Sequence, residues 1–362
     1  MTELAIHAAD QDIANELCEQ VRSAYHDRTP LRIVAGNTRA FYGRPVEGTE
    51  LNVAAHSGIV SYDPIELVVT VRAGTRLSAL NAALAEKHQM LPFEPPIFGD
   101  ASTIGGAVAT GMSGPRRPWA GAARDFVLGT RVITQEGKLL RFGGEVMKNV
   151  AGYDVSRLQA GALGTLGVIT EISMKVMPKP AASLTLVQEM GMDEVVHYMN
   201  SRAAEPKPIT AACWVDGKVY LRLAGAKSGV EATAEKWSGE VMEEGDHFWR
   251  QVQDMRHEFF AGNDVPLWRF SVGSTAATPK LEGNWFIDWA GSQRWFRGAG
   301  ELKDLEPAAR AAGGQVSLFR GGDRTGEVMH HQPEALKGIQ RRIKNAFDPD
   351  NIFNPGRLYS WL

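Results

Sequence analysis

Three segments carry apolar residues at the spacing of an amphipathic helix. The first predicted helix follows Asp10 as its N-cap, and its apolar positions are Ile13, Leu17, Val21 and Tyr25. The second runs through residues 76–88, with Leu77, Leu80 and Leu84 in phase. The third covers residues 334–347, and its apolar face consists of Leu336, Ile339, Ile343 and Phe347. We expect each helix to bury its apolar face.

Short runs of β-branched and apolar residues predict strands between these helices. Two of them, "LRIVA" (31–35) and "LVVTVRAG" (67–74), end in glycine or run directly into it. The runs "RVIT" (131–134) and "KLLRF" (138–142) are joined by "QEG", which predicts a hairpin. In "VITEISMKVMP" (168–178) the residues alternate, with Val168, Thr170, Ile172, Met174 and Val176 on one face.

Glycine content divides the chain. Residues 99–167 contain 14 glycines, about three times the usual density. After "MPKPAAS" (177–183) the sequence is richer in tryptophan and predicts strand, helix, strand, strand and helix. We therefore predict a nucleotide-binding domain over 1–180, a second domain over 181–325, and a C-terminal segment, 326–362, that returns to the first domain.

Composition excludes several classes of protein. The net charge of −3 gives no electrostatic case for binding nucleic acid or an anionic membrane. No apolar run approaches the roughly 20 residues of a spanning helix, and the first residues lack the features of a secretory signal. The only cysteines are Cys18 and Cys213, so a zinc or iron–sulfur site held by this chain alone is not expected. These features are typical of a soluble cytoplasmic protein.

Two stretches offer places for a phosphate. "IVAGNTRAFYG" (33–43) follows a strand and combines main-chain N–H groups with a hydroxyl and a guanidinium group. "STIGGAVATGMSGPRRP" (102–118) repeats the combination with four glycines. An ordinary turn in the first case, and a close-packed glycine loop in the second, are the alternatives. Neither G-x-G-x-x-G after a strand nor G-x-x-x-x-G-K-[ST] occurs, so the common dinucleotide and P-loop motifs are absent.

Five pieces of sequence, in order, resemble one known family. They are "AGNTRA", "STIGG", "RDFVLGTRVITQEGKLLRFGG", "KNVAGYDVSRLQAGALGTLGVITEI" and, near the C-terminus, "FDPDNIFNPGRL". The chain resembles flavoproteins of the vanillyl-alcohol oxidase or p-cresol methylhydroxylase type. Within them it is similar, over nearly its full length, to the smaller FAD-binding subunits of bacterial glycolate oxidases, through pieces such as "PLWRFSV" (266–272) and "LFRGGDRTGEVMHH" (318–331).

The resemblance implies an α+β fold in which a two-part FAD-binding domain carries a second α+β cap domain. It implies an oxidoreductase that acts on the CH–OH group of 2-hydroxy acids, as part of a complex that oxidises glycolate to glyoxylate. The partners would be a larger FAD-binding subunit and an iron–sulfur subunit, and the complex would pass electrons toward the respiratory chain. This leaves open a peripheral association with the inner face of the membrane through that complex.

By the same resemblance, the turn after the first strand would cradle the FAD pyrophosphate, and the segment 102–106 would follow the pyrophosphate and ribityl chain. Ser113 and Gly114 would lie near the isoalloxazine, the Val168 main chain near the adenine, and Asn354 and Arg357 near the redox face of the flavin. The full set of predicted cofactor residues is Gly36, Asn37, Thr38, Arg39, Ala40, Ser102, Thr103, Ile104, Gly105, Gly106, Ser113, Gly114, Val168, Asn354 and Arg357.

The sequence departs from the family's larger members in two respects. No histidine occurs in residues 27–55, so the covalent tether of many relatives is missing and we expect non-covalent FAD. No His-x-His occurs either, so the metal-holding cluster of the substrate-oxidising relatives is missing. We therefore assign no catalytic residue and no metal site, and expect the chain to support electron transfer in the complex rather than to hold the main substrate site.

Several alternatives stay open at this point. A self-sufficient 2-hydroxy-acid dehydrogenase would need a base, and His247, His257, His330 and His331 are the candidates. A scaffold that has lost its cofactor is a third reading of the chain. The tryptophans at 268, 285, 289 and 295 fit either a subunit interface or the core of the second domain. Arg269 either meets a carboxylate or another subunit or is a salt-bridged strand arginine, and Lys148 and Asn149 either approach the flavin or cap a turn.

Overall fold

The computed structural model describes residues 10–144, 154–262 and 264–362. These residues form two compact units. The first contains residues up to 112, residues 122–178 and residues 331–362, and the second contains residues 113–121 and 179–330. The C-terminal segment therefore belongs to the first unit, and nine residues that precede the strand at 127–133 belong to the second.

The helices and strands are α1 (Ala14–Asp27), β1 (Leu31–Val34), β2 (Thr49–Asn52), β3 (Ile59–Asp63), β4 (Val68–Arg72), α2 (Leu77–Glu86), β5 (Gln89–Met90), α3 (Ile104–Thr110), α4 (Arg117–Ala120), α5 (Ala123–Phe126), β6 (Val127–Ile133), β7 (Leu139–Gly143), α6 (Val155–Gln159), β8 (Val168–Lys175), β9 (Met177–Pro178), β10 (Ala182–Glu189), α7 (Met192–Ala203), β11 (Ile209–Val215), β12 (Lys218–Gly225), α8 (Lys227–Lys236), β13 (Glu240–Val241), α9 (Gly245–Gln253), β14 (Leu267–Ser271), β15 (Asn284–Asp288), β16 (Gln293–Arg297), α10 (Leu302–Ala311), β17 (Gln315–Arg320) and α11 (Glu334–Phe347).

The first unit is built on a five-stranded antiparallel sheet of order β3-β4-β8-β6-β7, with β1 and β2 paired in parallel beside it. The hairpin predicted around "QEG" joins β6 to β7. The central strand β8 is buried along seven of its eight residues rather than on alternate ones. An alternating pattern predicts one covered face, but a central strand with elements packed on both sides is buried on both.

The apolar face of α1 enters a core cluster with β1 and β2, as its periodicity predicts. Leu17 and Val21 are fully buried there against Leu51. The cap prediction was wrong, because the N-cap residue is Ile13 and the carboxylate of Asp12 accepts the Ala14 N–H at 3.0 Å. Asp10 instead forms an ion pair with Arg72.

The last helix, α11, buries only part of the face that its sequence predicts. Ile343 and Phe347 are half-buried, whereas Leu336 and Ile339 are each 44% exposed.

The buried residue of α11 is Lys344. Its ammonium group donates to the Thr165 carbonyl oxygen and to the Asp348 carboxylate. The buried charge is therefore paired, which avoids the large cost of an unpaired one.

The second unit is an eight-stranded antiparallel sheet of order β13-β10-β12-β11-β15-β16-β14-β17. Its core cluster joins α7 and α8 to the sheet around Val195, Leu221 and Val230. The four tryptophans left open between interface and core, Trp268, Trp285, Trp289 and Trp295, are all buried, with at most 7% of each exposed. They belong to the interior of this unit.

Candidate functional site

A cavity that opens to solvent lies in the first unit, and about 880 Å³ of free space lies within it when the open solvent at its mouth is included. Its walls are β1, the turn that follows β1, the start of α3, the loop after α6 and part of the C-terminal segment. Ten predicted cofactor residues line it: Gly36, Asn37, Thr38, Arg39, Ala40, Thr103, Gly105, Gly106, Asn354 and Arg357. The structure thus brings both predicted phosphate sites and the C-terminal signature to one cavity.

The turn after β1 exposes main-chain donors. Gly36 packs so closely on the next segment that a Cβ there would lie 1.5 Å from the carbonyl oxygen of Ala101. Asn37 follows in the left-handed region, with φ of 52°. Within the described part of the chain, the N–H groups of Asn37, Thr38 and Arg39 make no hydrogen bond. Consecutive free N–H groups at the edge of a cavity form a place for an anion.

Arg39 is a buried cation without a counter-charge. Only 6% of the residue is exposed, and one Nη donates to the Pro96 carbonyl oxygen at 2.6 Å while the guanidinium lies over the Phe98 ring. Its Nε has no partner, and the described residues place no carboxylate within 4.0 Å of it. Burial lowers the pKa of Arg39 to about 10, so the group is still a cation at neutral pH. Such a group is stabilised when an anion enters the cavity.

Ser102 acts on the cavity through Thr38 rather than by lining it. It is buried and does not line the cavity, but its Oγ lies 3.0 Å from the Thr38 Oγ1. The Ser102 Oγ also accepts the Phe98 N–H at 3.1 Å. If Ser102 donates to Thr38, the Thr38 hydroxyl hydrogen is left to point into the cavity that Thr38 lines. The serine then orients a donor.

The charge of the cavity wall is positive. Among the described residues, three arginines line it and no acidic side chain does. Arg32 is neutralised by Glu50 at 2.6 Å, which leaves Arg39 and Arg357. Burial, and then the charge of Arg32, lowers the pKa of Arg357. The potential therefore favours a ligand with negative charge near the turn.

The paired glycines in "STIGG" have different surroundings. A Cβ at Gly105 would lie 2.7 Å from both the Cβ and the carbonyl oxygen of Ala73. A Cβ at Gly106 would lie 3.3 Å from Thr103 Oγ1 and 3.7 Å from Arg39 Nη1, inside the cavity. Gly105 is therefore needed for packing of α3 on the sheet, and Gly106 keeps the cavity open.

The other predicted cofactor residues lie elsewhere. Ile104 and Val168 are fully buried in the core, although the neighbours of Val168, Gly167 and Ile169, line the cavity. Ser113 and Gly114 belong to the second unit, where the Gly114 carbonyl oxygen accepts the Trp289 indole N–H at 3.0 Å. The positions proposed for these residues beside a flavin stay predictions. Lys148 and Asn149 lie outside the described residues.

Sequence reasoning missed the loop 163–167 as a wall of the cavity. Leu163 and Gly164 both have left-handed φ values, 53° and 71°, and both line the cavity with Gly167. The signal in the sequence is the repeated glycine in "GALGTLG", which matches no phosphate motif and lies within one of the pieces that resemble the FAD family. Its glycines serve a tight backbone turn.

Three of the four candidate histidine bases make structural contacts. His330 is buried, and its Nδ1 accepts the Val316 N–H. His257 accepts the Phe259 N–H and packs between two phenylalanine rings. His247 contacts Gln251, and His331 is exposed. Across the described residues, no group of three or more His, Cys, Asp or Glu side chains is placed to hold a metal ion.

Comparison with known proteins identifies the family. The "FAD binding domain" family matches residues 12–143, which confirms that the chain contains an FAD-binding domain. The glycolate oxidase subunit GlcE of Escherichia coli K12 is 47% identical over 351 residues, 97% of this chain and 99% of that one. This chain belongs to the GlcE family. The glycolate oxidase subunit GlcD of Bacillus subtilis 168 is 36% identical over 144 residues, 40% of this GlcE-family chain and 30% of GlcD.

Solved structures confirm the fold of this GlcE-family chain. Substrate-bound p-cresol methylhydroxylase superposes with a TM-score of 0.68 at 15% identity, over 96% of this chain and 87% of that one. Alkyldihydroxyacetonephosphate synthase gives a TM-score of 0.65 at 17% identity, over 94% and 74%. The predicted α+β fold of the p-cresol methylhydroxylase type is thereby confirmed.

The residues around the cavity of this GlcE-family chain are suited to FAD. FAD carries a doubly charged pyrophosphate, and the turn offers unpaired N–H groups beside the unpaired Nε of Arg39. Gly106 leaves room where any side chain would project into the cavity. The neutral and apolar residues of β1 and the loop 163–167 supply the remaining walls.

Proposed function

We propose that the chain is the FAD-holding subunit of a complex that oxidises glycolate to glyoxylate. The observation that carries the site assignment is Arg39, a buried cation with an unpaired Nε beside unpaired main-chain N–H groups in one cavity. The 47% identity to E. coli GlcE over nearly the whole chain supports the assignment to glycolate oxidation.

Each part of the cavity has a task in holding the cofactor. The N–H groups of residues 37–39, the Arg39 guanidinium and the Thr38 hydroxyl bind the pyrophosphate. The wall formed by β1 and the loop 163–167 covers the adenosine half of FAD. When bound, FAD supplies the capacity to accept two electrons from a 2-hydroxy acid or from another redox group.

Binding of FAD is non-covalent in this proposal. A covalent bond to the flavin needs a nucleophilic side chain at the cavity, and the described lining contains no histidine, cysteine or tyrosine. The two cysteines, Cys18 and Cys213, are both buried in the protein core. The lining therefore supports retention by hydrogen bonds and charge alone.

We place the main substrate site on a partner subunit. The His-x-His cluster of substrate-oxidising relatives does not occur in the sequence, and three of the candidate bases are tied to structural contacts. The partners in this proposal are a larger FAD-binding subunit and an iron–sulfur subunit. No helix in the described residues is long and apolar enough to cross a membrane, and contact with a membrane surface would come through the complex.

A second candidate is a self-sufficient dehydrogenase of a small 2-hydroxy acid. A D-lactate dehydrogenase of Archaeoglobus fulgidus is 26% identical over 348 residues, 79% of this chain and 76% of that one. Among the four candidate bases, His331 is exposed and so remains the candidate for this reading. This reading requires turnover by the isolated chain.

One spectroscopic experiment separates these functions. The purified chain is scanned for the flavin absorbance bands, then precipitated with acid, and a second sample receives glycolate without oxygen. We expect flavin in the acid supernatant and no bleaching by glycolate until the larger flavin subunit is added. Bleaching by glycolate alone would establish the self-sufficient dehydrogenase. A colourless chain that does not take up added FAD would refute both.

A further inference from the structure

The last residues of the chain run alongside the cofactor cavity. The Leu31 N–H donates to the Ile352 carbonyl oxygen at 2.6 Å, and the Asn354 N–H donates to the Leu31 carbonyl oxygen at 3.0 Å. Phe353 pairs with Leu31 as a parallel bridge and is fully buried. Residues 352–357, which we call the clasp, thus extend the β1–β2 pair.

The side chain of Asn354 joins two walls of the cavity. Its Oδ1 accepts the Ile33 N–H at 2.8 Å, and its Nδ2 donates to the Leu163 carbonyl oxygen at 2.8 Å. Ile33 and Leu163 line the cavity on β1 and on the loop after α6. Only 3% of Asn354 is exposed, and it has a left-handed φ of 42° that disfavours most other residues. Both functional groups of the amide are therefore used in fixing the cavity.

A second link runs from the clasp to the phosphate turn. Arg357 Nη2 donates to the Tyr42 carbonyl oxygen at 3.0 Å and to the Arg39 carbonyl oxygen at 3.3 Å. Arg44, which follows the turn, also bonds to the clasp. Its main-chain N–H donates to the Arg357 carbonyl oxygen, and its Nη1 donates to the Gly356 carbonyl oxygen. The turn that carries the unpaired N–H groups is thus held by the clasp as well as by its own chain.

A third contact fixes the beginning of the clasp. The buried Lys344 ammonium group donates to the Thr165 carbonyl oxygen at 2.8 Å and to the Phe353 carbonyl oxygen at 3.1 Å. The Asp348 carboxylate accepts the N–H groups of Ile352 and Phe353. Three walls of the cavity, namely β1, the loop 163–167 and the phosphate turn, therefore meet on one C-terminal segment.

We propose that Asn354 is a positioning residue for the cofactor and that docking of the clasp and binding of FAD stabilise each other. The inference rests on the proposed FAD site and goes beyond it. The sequence resemblance implied that Asn354 approaches the flavin, whereas the structure commits its amide to the protein. Because binding free energies are linked, a clasp that tightens the cavity for FAD must itself be held more firmly once FAD is bound.

The test uses the full chain with FAD itself as the probe. The variants are Asn354→Ala, Asn354→Asp and, as a matched control, Asn200→Ala. Asn200 also bridges carbonyl oxygens, those of Val196, Ser274 and Ala290, but in the second unit. The measurements are the FAD dissociation constant, the melting temperature with and without FAD, and hydrogen exchange of residues 352–357.

We expect Asn354→Ala to weaken FAD binding at least tenfold and to reduce the rise in melting temperature that FAD produces. Asn354→Asp keeps the acceptor for Ile33 but loses the donor to Leu163, and it places a negative charge at the cavity wall, so it should also bind weakly. Asn200→Ala should lower both melting temperatures equally and leave the dissociation constant unchanged.

In the wild-type chain, FAD should slow hydrogen exchange of the clasp at least tenfold, a measurement that does not depend on whether a variant folds. Binding of FAD to Asn354→Ala within twofold of wild type, or unchanged exchange in the clasp, would overturn the inference while leaving the FAD site intact. A wild-type chain that does not bind FAD would refute the site and the inference together.

Discussion

Gly105 lies directly against Ala73: its N–H donates to the Ala73 carbonyl oxygen at 2.8 Å, and there is no room for a Cβ between them. A Cβ on the next residue, Gly106, would instead meet the ends of side chains that line the cavity, Thr103 Oγ1 at 3.3 Å and Arg39 Nη1 at 3.7 Å. One pair of glycines therefore satisfies two independent requirements, packing of α3 on the sheet and access of a ligand to the main chain.

Substitution by alanine should affect the stability of the protein at Gly105 and the binding of FAD at Gly106. Gly105→Ala should lower the free energy of unfolding by about 1–3 kcal/mol, because overpacking shifts the backbone. Gly106→Ala should leave stability nearly unchanged and weaken FAD binding, because its methyl group occupies the cavity. Urea unfolding of the FAD-free chain and FAD titration check the two results. Equal effects of both variants on stability would contradict the assignment.

Arg39→Met should weaken FAD binding by about 1.5–3 kcal/mol, the range for hydrogen bonds to charged groups. Arg39→Lys should retain part of the affinity, because the charge remains while the planar donor group is lost. Fluorescence titration with FAD measures both. The exposed Arg22, which pairs with Glu19, provides the control Arg22→Met, and that variant should bind FAD normally.

The same guanidinium determines how binding changes with pH. Burial lowers the pKa of Arg39 to about 10, so Arg39 stays protonated between pH 6 and 8.5. Its contribution to FAD binding should therefore stay the same over that range. Above that range the cation is lost as the pH approaches 10, and affinity should fall. Bound FAD adds negative charge and should shift the fall to higher pH. An affinity that rises toward pH 10 would show that Arg39 does not contact the anion.

Lys344→Met should destabilise the fold by about 3–5 kcal/mol, since it leaves the Asp348 carboxylate buried without its cation. Burial lowers the pKa of Lys344, and Asp348 opposes that shift. Lys337→Met on the same helix is the control, because Lys337 pairs only with the exposed Glu334, and surface pairs contribute about 1 kcal/mol or less. Chemical denaturation of both variants gives the comparison.

Stability should also fall in mild acid because of His56. Its buried Nδ1 accepts the Ile13 N–H at 3.2 Å, and burial lowers the pKa of His56, with Asp12 acting in the opposite direction. The unfolded chain takes up a proton below about pH 6.5 while the folded chain resists it, so stability is lost as the pH falls below that value. His56→Asn should flatten this dependence between pH 6.5 and 5, and His26→Asn, at an exposed position, should not.

Much of the fold was predictable because local patterns agree with the tertiary structure. The helix after Ile13, the hairpin between β6 and β7, and the turn after β1 all lie where periodicity and glycine place them. The outer helix α11 shows the limit of this reasoning. Its periodicity is strong, yet Leu336 and Ile339 are exposed while Lys344 is buried in an ion pair, and a pattern along one helix does not report a charge partner.

The cofactor cavity was likewise predictable from the sequence only in part. The turn with Arg39 was recognisable, because strand, glycine, hydroxyl and guanidinium are adjacent in sequence. The tasks of Ser102 and Asn354 were not, since each depends on a partner from a distant segment, Thr38 in one case and Leu163 in the other. Residue type indicated that these positions matter, and only the folded chain shows that they hold other groups in place.

The hydrogen bond between Ile33 and Asn354 spans 321 residues of sequence. During synthesis, β1 leaves the ribosome long before its partner exists, and closing so long a loop is slow. A chain that is interrupted before residue 352 lacks the clasp, and with it one wall of the cavity, however well its sheets have formed. Acquisition of the yellow cofactor would therefore report that the clasp has been made and has docked, so apoprotein in a preparation should be enriched in products shortened before residue 352.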